Sequence, residues 1–256
     1  PIYTAPAPKR PDNQLGLLYM AGGMFLFAAV DTQAKFLTET LHPIQIVWSR
    51  QLGLLIAVMV LFAIRGRSIL RTKHPYLQIT RSALAATSAT LFVVAVRYVP
   101  LADAVAVSFV APFIVTVLGA LVLREPVGLR RWVAVTIGFI GTMIVIRPGL
   151  GVIHPAVLLV LVAATFFAFR QILSRKLASS DRTETTVAYT ALVGSFALTI
   201  PLPFVWQMPQ TWLEISLLIS IAVMAGLAEL LVIKALEDAQ VLDRVLTETL
   251  RITPPI

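Results

Sequence analysis

The sequence predicts an all-α polytopic membrane protein, and three observations support this fold class. Eight stretches of about 20 mostly apolar residues follow one another along the chain, which is the length that a helix needs to cross the hydrocarbon core. Apolar residues make up 58% of the 256 residues and charged residues only 13%, about half the charged share of a soluble domain. The basic residues concentrate in every second gap between the apolar stretches. Because backbone groups in lipid must be satisfied within their own segment, we expect all eight stretches to be helices.

The eight stretches differ in the residues that interrupt their apolar character. The first carries Asp31 and Lys35, the second carries Arg50, and the third begins near Arg81, which we interpret as an anchor at the membrane surface. The fourth has an internal proline, the fifth is rich in glycine, the sixth and seventh hold aromatic residues, and the eighth carries Glu229. All are rich in small residues, which let membrane helices approach closely. The predicted spans are Leu15–Leu37, Ile44–Ile64, Tyr76–Val96, Ala102–Leu123, Arg131–Ile146, His154–Ser174, Thr185–Trp206 and Trp212–Leu236.

The distribution of basic residues indicates an orientation. If the N-terminus lies in the cytoplasm, about 15 Lys and Arg residues fall on the cytoplasmic side and about 4 on the opposite side. Cytoplasmic loops of membrane proteins carry such an excess, so we expect a cytoplasmic N-terminus. The same excess accounts for the net charge of +8. No basic patch is interleaved with aromatic residues as in single-strand binders, and nucleic acid is therefore not an expected partner.

Residues 1–14 and 241–256 are expected to lie outside the bilayer. The first segment is a Pro-rich tail with two basic residues, and the apolar stretch after it is of full length and lacks a cleavage motif, so it is not a signal peptide. The second segment is too short and too charged to span. Its apolar residues fit one stripe of an amphipathic surface helix, and they are Val241, Leu242, Val245, Leu246 and Leu250.

The stretch Arg97–Gly149 carries the most specific pattern in the chain, and it reads RYVPLADAVAVSFVAPFIVTVLGALVLREPVGLRRWVAVTIGFIGTMIVIRPG. A turn with tyrosine, proline, leucine and alanine precedes a span that contains Pro112, Glu125 ends that span, and a glycine-rich span follows. This pattern resembles the EamA-type transporters of the drug/metabolite transporter superfamily. The charged residues of the first two spans resemble that family too, and the likeness covers about Leu15–Gln240.

The resemblance implies the EamA fold, in which ten spans form two inverted repeats of five around a central solute cavity. Residues 15–149 would then form the first repeat, and residues 150–240 would hold only three spans of the second. We therefore expect two further spans in a functional molecule. They were either lost by truncation or omitted between Gln240 and Val241, and we favour the omission because the cavity would otherwise open to lipid.

Charged residues at membrane depth are candidate solute ligands, since each costs about 2.5–3.5 kcal/mol to insert. Asp31 and Lys35 lie one helical turn apart on the same face. They either neutralise each other or, together with Arg50, form a charged wall that binds carboxylate and ammonium groups. Arg50 could instead extend outward to the membrane surface.

Glu229 and Tyr189 complete the set of candidates. Glu229 lies near the centre of the eighth span, and it is either a proton carrier or a partner in a hydrogen bond between helices, with Arg170 as a partner if the two depths match. Tyr189 is either a packing residue or a residue of the cavity wall. No metal or cofactor is expected, because the three histidines lack ligand spacing, the chain has no cysteine, and it has no phosphate-binding glycine loop.

These features and the resemblance favour a secondary-active carrier of small polar metabolites in a bacterial-type inner membrane, working by alternating access. Amino-acid or metabolite export is favoured narrowly over import of S-adenosylmethionine or a similar zwitterionic or cationic metabolite, because export is the commoner activity of the family. An intramembrane enzyme is a remote alternative, since no paired carboxylates, Ser–His pair or metal triad is evident at one depth. The expected partners are the solute, the lipid bilayer and protons as the candidate coupling ion, with the protein either a monomer or a homodimer.

Overall fold

The computed structural model describes residues 13–122, 128–146, 154–178 and 180–252, with backbone alone at residues 13, 14, 130, 131, 142, 145, 146 and 178 and from residue 236 onward. All of its described secondary structure is helical. The helices are α1 (Asn13–Leu37), α2 (Pro43–Arg65), a 3-10 turn (Gly66–Leu70), α3 (Pro75–Tyr98), α4 (Leu101–Ser108), α5 (Ala111–Val122), α6 (Leu129–Ile146), α7 (Ala156–Ala178), α8 (Thr183–Thr199), α9 (Leu202–Val205) and α10 (Trp212–Ile252). The predicted all-α class is confirmed. The predicted N-terminal tail, Glu125 and the apolar stripe of residues 241–256 lie outside the residues, or the side chains, that the structure describes.

Six segments of the described chain are long and apolar enough to cross a membrane, and they coincide with predicted spans one to four, six and eight. The fifth and seventh predicted spans are also helical, as α6 and α8. Among the residues of α6 whose side chains the structure describes, Trp132–Gly141 is a continuous apolar stretch. Helix α8 has 17 residues and ends at Thr199, two residues before Pro201, which has no N–H to continue the helical hydrogen bonds.

The fourth predicted span, Ala102–Leu123, is interrupted in the structure. Helix α4 ends at Ser108, and α5 begins at Ala111 after a two-residue turn. Pro112 explains the break, since its ring has no N–H to donate to the carbonyl group of Ser108 and clashes with it in a continuous helix.

The packing of the membrane helices has an internal two-fold pattern. Helix α1 packs along α10 and α7 packs along α3, while α2 contacts α10 and α8 contacts α3. Exchanging α1 with α7, α2 with α8 and α3 with α10 converts each of these contacts into another contact of the same set. The contact between α2 and α8 is converted into itself. Five spans separate the start of each exchanged helix from that of its counterpart, so counterparts cross the membrane in opposite directions. This is the pairing expected of inverted repeats.

Glycines permit the closest of these approaches. A Cβ atom on Gly53 of α2 would overlap the backbone carbonyl of Ala222 in α10, and one on Gly226 would lie 2.8 Å from the carbonyl oxygen of Gly53. With lipid on the outside of the bundle, such backbone contact replaces the hydrophobic driving force between helices.

Two apolar clusters lie toward opposite ends of the bundle. One includes Leu37, Ile46 and Ile221, near the end of the bundle where α1 stops. The other includes Leu54 and Val187 and lies nearer the end that carries the basic loop residues, which we call the basic end. The polar residues described next lie between the helices that hold these clusters.

Candidate functional site

A central cavity of about 860 Å³ lies between the membrane helices. Its walls come from α1, α2, α3, α4, α5, α7, α8 and α10. Helices of both inverted halves therefore contribute to one space, as expected of a solute site at the repeat interface. Most of the wall is small or apolar, and the charged residues that line it are Asp31, Arg50, Arg81, Arg170, Asp181 and Glu229.

The side chains of Asp31 and Arg50 form an ion pair on the α1–α2 side of the cavity. A guanidinium nitrogen of Arg50 lies 3.5 Å from Oδ1 of Asp31, and the two side chains are 29% and 32% exposed. The Arg50 guanidinium also lies over the Phe27 ring, 5.2 Å from its centroid. The pair is therefore open to the cavity rather than sealed in the protein, and its polar groups can reach a solute.

Arg81 is held inside the bundle by groups on two other helices. Its Nε donates to Oγ of Ser174 at 2.7 Å, and Nη1 donates to Oγ1 of Thr190 at 2.7 Å. The residue is only 9% exposed. The interpretation of Arg81 as a surface anchor is therefore wrong, because hydroxyl groups of α7 and α8 satisfy the buried guanidinium. The predicted excess of Lys and Arg residues on the cytoplasmic side remains when Arg81 and Arg170 are not counted.

Arg170 and Glu229 face the same cavity from α7 and α10. The Arg170 guanidinium lies over the Phe167 ring, 4.9 Å from its centroid, while its Nε is buried and has no hydrogen-bond partner in the described structure. Arg170, Arg50 and Arg81 all lie close enough to attract the Glu229 carboxylate electrostatically. Even so, no ion pair or hydrogen bond of Glu229 is found among the described side chains.

Two of the candidates from the sequence do not border the cavity. Lys35 turns instead to the end of α3, where its Nζ donates to the carbonyl oxygens of Val96 at 2.5 Å and Val99 at 3.2 Å. Asp31 therefore pairs with Arg50 on the next helix rather than with Lys35. Tyr189 is half-buried but is not part of the cavity wall.

The cavity wall includes Arg170, which the sequence suggested only as a partner of Glu229. Arg170 lies four residues from the end of the predicted sixth span, and an ionisable group within a span was the signal that could have selected it. Phe27 and Phe167 carried no such signal, because an aromatic residue in an apolar span is ordinarily a packing residue.

At the basic end, the two inverted halves are tied by side-chain contacts. Asp181, in the loop before α8, accepts hydrogen bonds from Oγ1 of Thr72 at 2.5 Å and Nε2 of Gln78 at 2.8 Å. Burial alone would raise the pKa of Asp181, but these hydrogen bonds, another from the Lys73 backbone and the nearby His74 outweigh it and hold the pKa below its usual value. Arg65 and Glu184 form an ion pair in the same region.

The opposite end is tied by a second set of contacts. Gln45 and Gln207 exchange two hydrogen bonds of 3.0 Å, one from the Gln45 side chain to the Gln207 carbonyl and one from the Gln207 backbone to the Gln45 side chain. Trp48 donates its Nε1 to Oγ1 of Thr199 at 2.9 Å and packs edge-on against Trp206. Contacts between the two halves thus lie on both sides of the cavity.

Comparisons with known proteins agree with this architecture. Residues 14–147 match the model of the EamA-like transporter family. A riboflavin transporter of Vibrio cholerae is 34% identical over 225 residues, which cover 86% of this chain and 75% of that protein. An S-adenosylmethionine uptake transporter of Rickettsia prowazekii is 24% identical over 73% of this chain and 64% of its own length. A protein of known crystal structure aligns with a TM-score of 0.58 over 95% of this chain and 89% of its own, at 16% identity, which supports the fold alone.

Proposed function

The chain belongs to the EamA-like transporter family, and we propose on this basis that it carries a flat, polar heterocyclic metabolite of the riboflavin type across the membrane through the central cavity. Small-solute transport and a multi-pass membrane location follow from the family. The solute, the direction, the inner membrane and the N-terminal orientation belong to the proposal.

The observation that carries the choice of solute is the pair of arginine–phenylalanine stacks on the cavity wall. Arg50 lies over Phe27 on the α1–α2 side, and Arg170 lies over Phe167 on α7. Flat conjugated rings bind well to such walls, because both phenyl and guanidinium faces accept stacking partners. The cavity volume of about 860 Å³ is within the usual range for a site that encloses an organic ligand. The 34% identity to a riboflavin transporter supports the same choice.

The contacts between the two halves at both ends of the cavity suggest how the solute would move. In an alternating-access carrier, one set of contacts between the halves breaks while the other holds, so that the cavity opens to one side at a time. Breaking the contacts of Asp181 would open the basic end, and breaking the exchange between Gln45 and Gln207 would open the other. The sequence has no nucleotide-binding loop, so we infer that a solute or proton gradient supplies the energy, with Glu229 as the candidate proton carrier.

Uptake of S-adenosylmethionine is the second candidate, supported by the similarity to a named uptake transporter. The acids Asp31 and Glu229 would suit its cationic groups. Three arginines offset the acids of the same cavity, however, and the lower identity of this relative, 24% against 34%, makes S-adenosylmethionine the less favoured solute. Amino-acid or metabolite export, which the sequence favoured narrowly, uses the same cavity in the opposite direction. Uptake is preferred here because the S-adenosylmethionine relative is named for uptake.

Transport by the full-length protein in proteoliposomes tests the proposal. We expect saturable uptake of labelled riboflavin, acceleration by unlabelled riboflavin trapped inside, and weak competition by S-adenosylmethionine and amino acids. Arg50→Gln should reduce uptake, while Arg67→Gln, which removes an exposed arginine at the basic end, serves as the matched control. Absence of riboflavin uptake together with saturable uptake of S-adenosylmethionine would replace the first candidate by the second.

A further inference from the structure

Arg170 and Glu229 differ from the other charged groups of the cavity, because neither side chain has a direct polar partner in the part of the chain that the structure describes. Asp31 has Arg50 at 3.5 Å, and Arg81 has Ser174 and Thr190. Arg170 and Glu229 both face the cavity and lie near enough for their opposite charges to attract, yet among the described side chains neither forms an ion pair or a hydrogen bond. The cavity therefore holds one donor group and one acceptor group that are not in direct contact.

The lack of a partner is most evident at Nε of Arg170. This atom is buried and makes no hydrogen bond in the described structure, although a buried donor without a partner costs about 1–3 kcal/mol. The Phe167 ring lies against one face of the guanidinium group, and a contact with the face leaves the N–H donors in the guanidinium plane without a partner. A guanidinium presents a planar fork of donors that matches carbonyl, carboxylate or phosphate oxygens.

Glu229 supplies the complementary group. An ionised carboxylate has only acceptors, and Glu229 lies on α10 while Arg170 lies on α7. A solute that joins the two must present an acceptor toward Arg170 and a donor toward Glu229. A cyclic imide edge, in which a ring N–H stands beside a ring carbonyl, has this pattern in a flat molecule.

We propose that Arg170 and Glu229 together bind the imide edge of a flat heterocycle, such as the pyrimidine end of a flavin ring. Arg170 donates to the ring carbonyl oxygen, and Glu229 accepts a hydrogen bond from the ring N–H. This inference rests on the proposed function and names the part of the solute that the site recognises. A solute bound between the two residues would give both charged groups a hydrogen-bond partner. Such a solute should therefore bind more tightly than a ring that lacks the N–H.

The inference predicts a strong preference that can be measured on the unmodified protein. Sites built to hydrogen-bond a polar group reject analogues that lack it far more strongly than apolar pockets do. Binding of riboflavin and of riboflavin methylated at the ring imide nitrogen would be compared by quenching of flavin fluorescence in detergent-solubilised full-length protein. We expect the methylated compound to bind at least tenfold more weakly.

Two variants assign the preference to its residues. Glu229→Ala should bind both flavins with similar affinity, because the group that distinguishes them is gone. Arg170→Gln should weaken both flavins by a similar factor, because both keep the carbonyl group, and Arg67→Gln should resemble the parent protein. Melting temperatures of all three variants report whether a loss of binding reflects misfolding.

The outcomes separate this inference from the proposed function. Equal affinity of the parent protein for the two flavins, with riboflavin transported, overturns the role of the imide edge and leaves the function intact. If the parent binds S-adenosylmethionine and neither flavin, the proposed solute is wrong and the imide inference fails with it. A preference for riboflavin that persists in Glu229→Ala shows that another group reads the N–H and also overturns the assignment.

Discussion

Gly226 of α10 faces Gly53 of α2 so closely that a Cβ atom on Gly226 would lie 2.8 Å from the Gly53 carbonyl oxygen. A Cβ atom on Gly53 would overlap the carbonyl group of Ala222. This contact joins helices from the two inverted halves directly beside residues that line the cavity.

Gly53→Ala should therefore destabilise the bundle, because the added methyl group meets backbone that cannot rotate away. We expect a loss of about 1–3 kcal/mol, the usual range for overpacking, measured as a lower midpoint of thermal unfolding in detergent. Gly141→Ala is the matched control, since a Cβ atom there meets nothing within 4 Å in the described structure. Equal stability of the two variants would show that α2 and α10 are farther apart than described.

Asp31→Asn and Arg50→Ala should impair transport much more than folding. Each change leaves the partner charge unpaired in the cavity wall, and intramembrane charges are ordinarily retained for function. Transport should fall roughly tenfold or more, equivalent to about 1.4 kcal/mol, while expression and the elution profile in size-exclusion chromatography stay near those of the parent. A parallel fall of expression and transport in both variants would favour a structural role for the pair.

His42 should make stability depend on pH near neutrality. Its Nδ1 accepts a hydrogen bond of 3.3 Å from the Ile44 N–H at the start of α2, and only the neutral ring can do this. Burial lowers the pKa of His42 below its ordinary value of 6.5, and the positive charge of Arg97 adds to the effect. The contribution of His42 to stability is therefore complete above about pH 6.5 and is lost as the pH falls through the lowered folded-state pKa.

His42→Asn tests this pH dependence, since asparagine caps a helix without titrating. Its melting temperature should fall less than that of the parent between pH 7 and pH 5. His42→Ala should be about 1 kcal/mol less stable than His42→Asn at pH 7, as expected for a lost cap. Parallel melting curves of the parent and His42→Asn over this range would show that His42 does not contribute.

Cross-links at either end of the cavity should stop transport. The chain has no cysteine, so introduced pairs are the only thiols. Thr72→Cys with Asp181→Cys would lock the basic end, and Gln45→Cys with Gln207→Cys would lock the other. Oxidation should abolish transport in both double variants, and reduction should restore it, while each single variant should be insensitive to the oxidant. Full transport after complete cross-linking would mean that the halves need not separate at that end.

The N-terminus is predicted to be cytoplasmic. A reporter that is active only in the periplasm should stay inactive when fused before Pro1, because the basic residues concentrate on that side of the membrane. The same reporter inserted between Leu37 and Pro43 should be active. The reverse result would invert every side assignment, including that of the basic end.

Local patterns in the sequence were enough to predict most of the fold. Apolar length and the alternation of basic loops identify the six spans that the structure supports, and Pro112 is visible in the sequence although the break that it causes in the fourth span was not predicted. The end of α8 depends on Pro201. Apolar residues continue past that end, so a span predicted from hydropathy extends beyond the helix.

The cavity was harder to predict because it depends on which helices meet. Sequence spacing pairs Asp31 with Lys35, which share one face of α1, but the structure pairs Asp31 with Arg50 because α2 lies alongside. Lys35 instead finds carbonyl groups at the end of α3. Arg81 has the sequence context of a surface anchor, and only the hydroxyl groups of α7 and α8 make its buried position favourable. The position of a residue along its helix could be predicted from the sequence, whereas the direction of its side chain could not.

The packing of α1 against α10 has a consequence for biosynthesis. Gln33 and Met224, which touch across this contact, are separated by 191 residues along the chain. At roughly 5–20 residues per second, the ribosome needs about 10–40 s to make the partner after α1 has emerged. Throughout that interval α1 must reside in the lipid, or against the insertion machinery, with the glycines that later face α10 exposed. Slowing translation between the two helices should therefore lengthen the period in which the newly made protein is open to degradation by membrane proteases.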